Sequence, residues 1–432
     1  MEQLRQITSG TIEAFRGHGV EKGYCVANKK ETREFNVDGG EFSLFRTLFD
    51  QALSMTMFKE GKKGSLSINH FDDKAIYEAV ENCIQVAEAA QVDPAWDIAP
   101  KVEKKIFVKG SPEPDTDRLF ERTRELLETI KVNHPKIILE QMIVSHQKSQ
   151  SVYENTNGTI FETTEGKYSV ELMFSAHEGE KTTSFFGTGV ITDNLDAPFI
   201  TLATIEEDLI DVEKQLQTIP LEGKFEGTIL MPPGCLMSFM YGVLGNFVSD
   251  GVILDGTSIW KDKLGEKVAD SRLTLSIKPL DERIVCGETY TAEGFLSENY
   301  DVIKEGVLNN FMLSLYIANK SGFERAKNSS YSMIIEPGDT LVEDMIKGIK
   351  KGIIVGRFSG GQPSTNGDFS GVAKNSFLIE DGQVVGAISE TMISGNLADL
   401  LNHIVAISKE VSVDGNSVLP YMAVNGVLIS GK

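Results

Sequence analysis

Ile137-Ile-Leu-Glu-Gln-Met-Ile143, Ser151-Val-Tyr-Glu154 and Tyr168-Ser-Val-Glu-Leu-Met-Phe174 follow one another with turn residues between them. Asn157-Gly158 is a hairpin signal, and Glu165-Gly166 reads as the next turn. Extended runs rich in β-branched and aromatic residues, joined by short turns, form antiparallel pairs. A doubly wound parallel sheet would need a helix after each strand. The stretch therefore predicts an α+β protein with mixed or antiparallel sheets and few helices.

Outward from this stretch the same grammar continues. Leu4, Ile7, Ile12 and Phe15 are spaced like one face of an opening helix. Gly23–Ala27, Glu34–Asp38 and Phe42–Phe45 read as short strands. Ile76, Ala79, Val80, Cys83, Ile84 and Ala87 predict a helix over 72–90, capped by Asp72 or Asp73. Residues 91–115 hold Pro94, Pro100, Pro112 and Pro114 and read as a connection. A helix capped by Asp115, Thr116 or Asp117 follows, with Leu119, Phe120, Leu126, Leu127 and Ile130 on its apolar face. Another helix is expected over 205–217.

Beyond Pro220 a strand at Lys224–Met231 is broken by Pro232-Pro233-Gly234, and an apolar helix over 235–248 follows. Glu305-Gly306, Asp381-Gly382 and Asn425-Gly426 sit between apolar runs as hairpin turns do. Helices are expected over 340–350 and 397–409, the second capped by Asn396. These readings divide the chain into an N-terminal α+β region, 1–220, and a strand-rich C-terminal domain, 221–432. The first has sub-regions 1–100 and 115–218.

The 432 residues include 63 acidic and 42 basic side chains, a net charge of −21. Binding a phosphate backbone needs clustered Lys and Arg, so a direct nucleic-acid partner is not expected. No apolar run reaches the roughly 18 residues of a membrane span. The N-terminus lacks a signal-peptide pattern, and the four cysteines form no CxxC pair. A cytoplasmic protein without a disulfide framework is expected.

Leu264-Gly-Glu-Lys-Val-Ala269, Gly367-Asp-Phe-Ser370 and Ser394-Gly-Asn-Leu397 resemble the TldD/PmbA family, also named TldD/TldE or modulator of DNA gyrase. The resemblance is strongest over 224–430. Its metal-binding members carry HExxxH shortly before the LGEKVA-like segment. Counted back without a gap, that window here is Tyr241-Gly242-Val243-Leu244-Gly245-Asn246. HExxxH chemistry needs two imidazoles on one zinc and a carboxylate as general base. A phenol titrating near pH 10, a glycine and an amide do not replace them. The family's C-terminal cysteine ligand is also missing from Val411–Pro420.

The resemblance thus implies the PmbA/TldE-like branch, a non-catalytic subunit of a TldD-type metalloprotease. No metal or cofactor is expected in this chain. Zinc is expected in a TldD-like partner subunit, with unfolded peptide as substrate. Gly360, Gly361, Gln362 and Asp368, in the glycine-rich loop before Gly367-Asp-Phe-Ser370, are candidates for peptide contact; a tight hairpin would also need such glycines. A homodimeric peptide- or protein-binding module is the alternative. A stand-alone hydrolase would need another nucleophile, and Cys235 at a helix start is the candidate. No histidine is visibly paired with it. His70 reads as a turn or cap residue, and His403 as solvated.

Overall fold

The structure is a computed structural model describing residues 1–361 and 363–431. Gln362 lies outside the described residues. Among those described, two sheets divide the chain: eight strands within 22–192 and fourteen within 218–430. With helices packed on them, this is the α+β class.

The first sheet is built from long strands. Lys22–Asp38 pairs antiparallel with Glu41–Lys59 on one side and with Ile137–Asn155 on the other. The latter pairs with Ile160–Glu178 across the Asn157-Gly158 turn. Helices Glu2–Gly17 and Asp73–Ala89 cover a core around Cys25, Leu53, Met55 and Val152. Helices Thr116–Asn133 and Ile205–Lys214 cover a second core around Val37, Met142, Val144 and Leu172. Asp72 and Asp115 cap their helices, accepting from Ala75 N and Arg118 N at 2.9 Å each. Strand Lys22–Asp38 takes part in both cores, so the sheet runs through both predicted sub-regions.

Three expectations are corrected here. The separate strands 23–27 and 34–38 are one strand, because half-exposed Lys29–Arg33 continues the ladder despite its polarity. The supposed connection contains strand Lys105–Gly110, parallel to Phe161–Gly166. Glu165-Gly166 is no turn but lies within Ile160–Glu178. Its glycine is needed because a Cβ there would stand 1.9 Å from the Ser111 carbonyl oxygen, where the chain leaves the parallel strand.

The second sheet is mixed. Lys224–Met231 lies between Val418–Ser430, antiparallel, and Lys351–Ile354, parallel. Its main core gathers Phe239, Phe247, Trp260, Leu275, Ile393 and Met422. Glu305-Gly306 and Asp381-Gly382 are tight turns with positive φ at both residues. Asn425-Gly426 instead forms a bulge inside a strand, two residues facing Thr228 alone. The predicted helix 340–350 is shorter, Val342–Lys347. The helix starting at Leu397 stops at Asn402, and 404–413 is a strand paired with Val418–Ser430. Ladder pairing overrides the helical spacing of Ile404 and Val405.

Candidate functional site

The degenerate window lies where a helix changes its winding. Pro233 occupies the first turn of helix Pro233–Val243, where its missing N–H costs nothing. Cys235, Leu236, Phe239, Met240 and Val243 are buried. Residues Leu244–Val248 then form a π-helical turn, a rare winding found mostly as single turns in helices. Asn246 Nδ2 donates to the Gly242 carbonyl at 3.0 Å, supplying a donor where the regular ladder is shifted. Ser249 Oγ donates to the Gly245 carbonyl at 2.6 Å in the same manner.

Tyr241 is 39% exposed and meets Tyr331 edge-on, ring centres 6.0 Å apart. Burial of its inner part raises its pKa, and the charge of Asp414 adds to that. A Cβ at Gly242 would lie 3.1 Å from Leu397 Cδ1 and 3.4 Å from Pro363 Cγ. The helix and the glycine-rich loop therefore close on a position that has no room for a longer side chain without movement. Zinc does not fit this window. A phenol on the metal-free form's neutral side of its pKa, a packed glycine and an amide already hydrogen-bonded are not a ligand set. Among the described residues no group of three or more His, Cys, Asp or Glu is placed to hold a metal ion.

The three sequence stretches that carry the resemblance converge beside this helix. Asp368–Lys374 pairs with Thr391–Asn396, setting Ser370 opposite Ser394 and Asp368 opposite Asn396. Leu397 N donates to the Gly367 carbonyl at 2.8 Å. From the other side, Asn402 Nδ2 donates to the Val268 carbonyl at 3.2 Å, and Asp270 N to the Leu401 carbonyl at 2.8 Å. The short helix Leu397–Asn402 is the point they share.

Asn396 is the fastening of the loop. Its Oδ1 accepts from Ala398 N and Asp399 N, at 2.9 and 3.3 Å, and caps the helix as expected. Its Nδ2 lies 2.9 Å from both the Asn366 carbonyl and Asp368 Oδ1. Asn366 Nδ2 donates to the other Asp368 oxygen at 2.9 Å. These two amides, Asn396 first, hold the Asp368 carboxyl below its usual range. Asp368 is thus engaged within the loop.

Gly360 and Gly361 face a cavity of about 320 Å³, together with Ser238, Phe239, Phe358 and Phe369. The three phenylalanines pack edge-on or tilted, with ring centres 5.2 to 5.7 Å apart. Strand Arg357–Gly360 pairs with Asp368–Lys374 on one side and with no other strand among the described residues, and its Phe358, Ser359 and Gly360 line this cavity. The aromatic pocket was missed in the sequence because its walls come from three separate elements.

Cys235 is 2% exposed, and burial pushes its thiol up to about 12. A thiolate nucleophile is disfavoured there. The histidines are scattered: His146 hydrogen-bonds the Ser111 carbonyl at 2.7 Å, His134 lies 3.4 Å from Glu213, and His18 lies 3.1 Å from Glu81. His70 and His403 are exposed. No helix among the described residues is long and apolar enough to cross a membrane.

Residues 224–431 match the family model of the PmbA/TldA metallopeptidase C-terminal domain. The chain is 23% identical over 428 residues to Metalloprotease PmbA of Escherichia coli O157:H7, covering 92% of this chain and 88% of that one. It is 25% identical over 260 residues to a zinc metalloprotease TldD homolog of Saccharolobus solfataricus, covering 56% and 57%. Among solved structures, TldE from Thermococcus kodakarensis shares the fold with a TM-score of 0.84 at 18% identity, over 98% of this chain and all of that one.

Proposed function

We propose that this chain, a PmbA/TldD-family protein by its C-terminal half, is a non-catalytic subunit of a TldD-type metalloprotease. One observation carries the reading. Gly242 offers no side chain and is packed against Leu397 and Pro363, the Asn246 amide is bonded to the Gly242 carbonyl, and the raised pKa of Tyr241 keeps its phenol protonated near neutrality. The chemistry would belong to a TldD-like partner with HExxxH, which would hold the zinc. This chain would complete the wall of a shared chamber and hold unfolded peptide in extended form. The edge of Arg357–Gly360 that no strand pairs among the described residues, with the phenylalanine-lined cavity beside the strand, suits that role, since an extended peptide pairs with a sheet edge and places alternate side chains in pockets.

The test is reconstitution with a HExxxH-bearing TldD-like chain from the same cell. A stable complex in which cleavage of an unstructured peptide needs both chains is expected. A TldD-like chain that cleaves equally well alone, and does not associate, would refute the reading.

A second reading, a homodimeric peptide- or protein-binding module, is favoured by one feature. Among the described residues, the outer edge of strand Glu41–Lys59 is paired only from Leu53 onward. Before that, Phe42, Leu44, Phe45, Leu48 and Phe49 are exposed, Phe49 by 76%. A bare apolar edge invites pairing with another chain. A homodimer that ignores an added TldD-like chain would support this reading over the first.

A further inference from the structure

We infer that Cys286 and Lys167 form a peroxide-triggered cross-link site, in which oxidation of the thiol lets the lysine amine bond to the sulfur. The bond would tie the segment before strand Tyr300–Lys304 to the first sheet. The inference stands apart from the proposed function and needs no TldD-like partner.

Lys167 Nζ lies 3.3 Å from Cys286 Sγ, across 119 positions of sequence. Among the described residues this sulfur is the only hydrogen-bond partner of the ammonium group, and no carboxylate is paired with it. The chain has 63 acidic against 42 basic side chains, so carboxylates are plentiful. A partly buried lysine that faces sulfur instead is set apart from the lysines in ion pairs.

Both groups are held by their backbones. Lys167 sits within strand Ile160–Glu178, opposite Gln147 of Ile137–Asn155. Cys286 lies between strands Leu275–Ile277 and Tyr300–Lys304. Val285 N and Cys286 N both donate to the Gly415 carbonyl, at 2.8 and 3.0 Å. Lys109 Nζ donates to the carbonyl of the next residue, Gly287. A Cβ at Gly287 would stand 1.8 Å from the Pro279 carbonyl oxygen, so the segment passes close against its own backbone there. Groups held at about 3–3.5 Å are within near-attack range.

The neighbours decide the chemistry. Cys286 is partly exposed, so a small oxidant reaches it, whereas Cys25, Cys83 and Cys235 are buried. A sulfenic acid condenses with a thiol or with a nitrogen. The other three thiols are sealed in hydrophobic cores, which leaves the Lys167 amine as the nucleophile in contact. Lys109 and Glu165 are the other charged groups beside the pair, and Lys109 is engaged by the Gly287 carbonyl.

The step balances with hydrogen peroxide as oxidant. The Cys286 sulfur attacks one peroxide oxygen; the O–O bond breaks, giving Cys–S–OH and one water. Lys167 enters as its free amine, having released a proton to solvent. Its nitrogen attacks Sγ, the S–N bond forms, and the S–O bond breaks. The hydroxyl leaves with one amine hydrogen as a second water. The sulfur gives up two electrons and the peroxide takes them. The chain loses two hydrogens and keeps no oxygen. A thiol reductant attacks the sulfur and restores the amine.

The experiment treats the full chain with hydrogen peroxide at mildly alkaline pH, blocks free thiols with N-ethylmaleimide, and maps peptides by mass without reductant. A peptide pair joining Cys286 to Lys167 is expected, lighter by two hydrogens than the sum of its parts. It should be absent before oxidation and lost with dithiothreitol. Lys167→Arg keeps the charge but removes the nucleophilic amine, so the pair should vanish. Dimedone, which traps sulfenic acid, should then label Cys286 more strongly than in the parent chain. Should this variant not fold, the mapping of the parent decides alone. Cys286 oxidised to sulfenic or sulfinic acid with no pair formed, Cys286 left unoxidised, a pair that retains an oxygen, or a pair that persists in a folded Lys167→Arg chain would overturn the inference.

Discussion

The side-chain amide of Asn246 donates to the carbonyl oxygen of Gly242 at 3.0 Å, so two positions of the Tyr241–Asn246 window are bonded to each other. The amide serves to satisfy a shifted helical turn. Asn246→Ala should therefore lower stability by about 1 kcal/mol, the ordinary worth of such a bond. A urea midpoint shift at constant slope would measure it; no shift would mean that water replaces the amide.

Gly242 is packed against Leu397 and Pro363. Gly242→Glu, which restores the carboxylate of the motif, should cost about 1–3 kcal/mol by overpacking. It should also loosen the loop over 360–368. Limited proteolysis should nick the variant there before the parent chain. Equal resistance would show that the loop yields without cost.

Asp208 makes stability depend on pH. Its pKa is about 7 in the folded chain, against an ordinary value near 3.8. Between these values the folded state binds the extra proton, so stability is greatest at the acid end and declines as pH rises from about 4 to about 7. The decline attributable to this group has an upper limit of about 4 kcal/mol. Denaturation midpoints across that range, compared with those of Asp208→Asn, isolate the contribution. Parallel curves for the two proteins would contradict it.

Cys235 and Cys286 should differ in reactivity. Cys235 is sealed in the core, while Cys286 is partly exposed, its sulfur 3.3 Å from Lys167 Nζ. Iodoacetamide should label Cys286 in the native chain and Cys235 only on unfolding. Mass mapping of native protein that finds Cys235 alkylated first would refute the buried assignment.

Asn396 joins a helix cap to the loop latch, so Asn396→Ala should cost about 1–2 kcal/mol, more than a cap alone tends to contribute. Asp368→Asn should cost less, because Asn396 keeps its cap. Thermal unfolding of the two variants gives the order; a reversed order would place the latch on Asp368.

Much of this architecture was legible in the chain because local signals agreed with the fold. Asp72, Asp115 and Asn396 stood before apolar periodicities and cap helices. Glu305-Gly306 and Asp381-Gly382 marked turns because both residues need positive φ. Where long-range pairing decides, the same signals misled. Polar Lys29–Arg33 is held in a strand by neighbours on both sides. Gly166 and Asn425-Gly426 serve a close backbone approach and a bulge, which look like turns to a local reading. Ile404 and Val405 suit a helix face equally well, yet the partner strand claims them. At the site, Tyr241-Gly242-Val243-Leu244-Gly245-Asn246 can be read from the sequence as lacking histidine and carboxylate, while the packing of Gly242 and its bond to Asn246 cannot. The phenylalanine pocket was not legible, because residues far apart in sequence make its walls.

On the proposed function, this chain carries no catalytic zinc of its own. Zinc per chain, measured on protein purified without a metal-affinity tag, tests it most directly. A value near zero is predicted, with stoichiometric zinc appearing only when a TldD-like chain is bound. A value near one on the isolated chain would refute the non-catalytic role and require ligands outside the window around Tyr241 and Asn246.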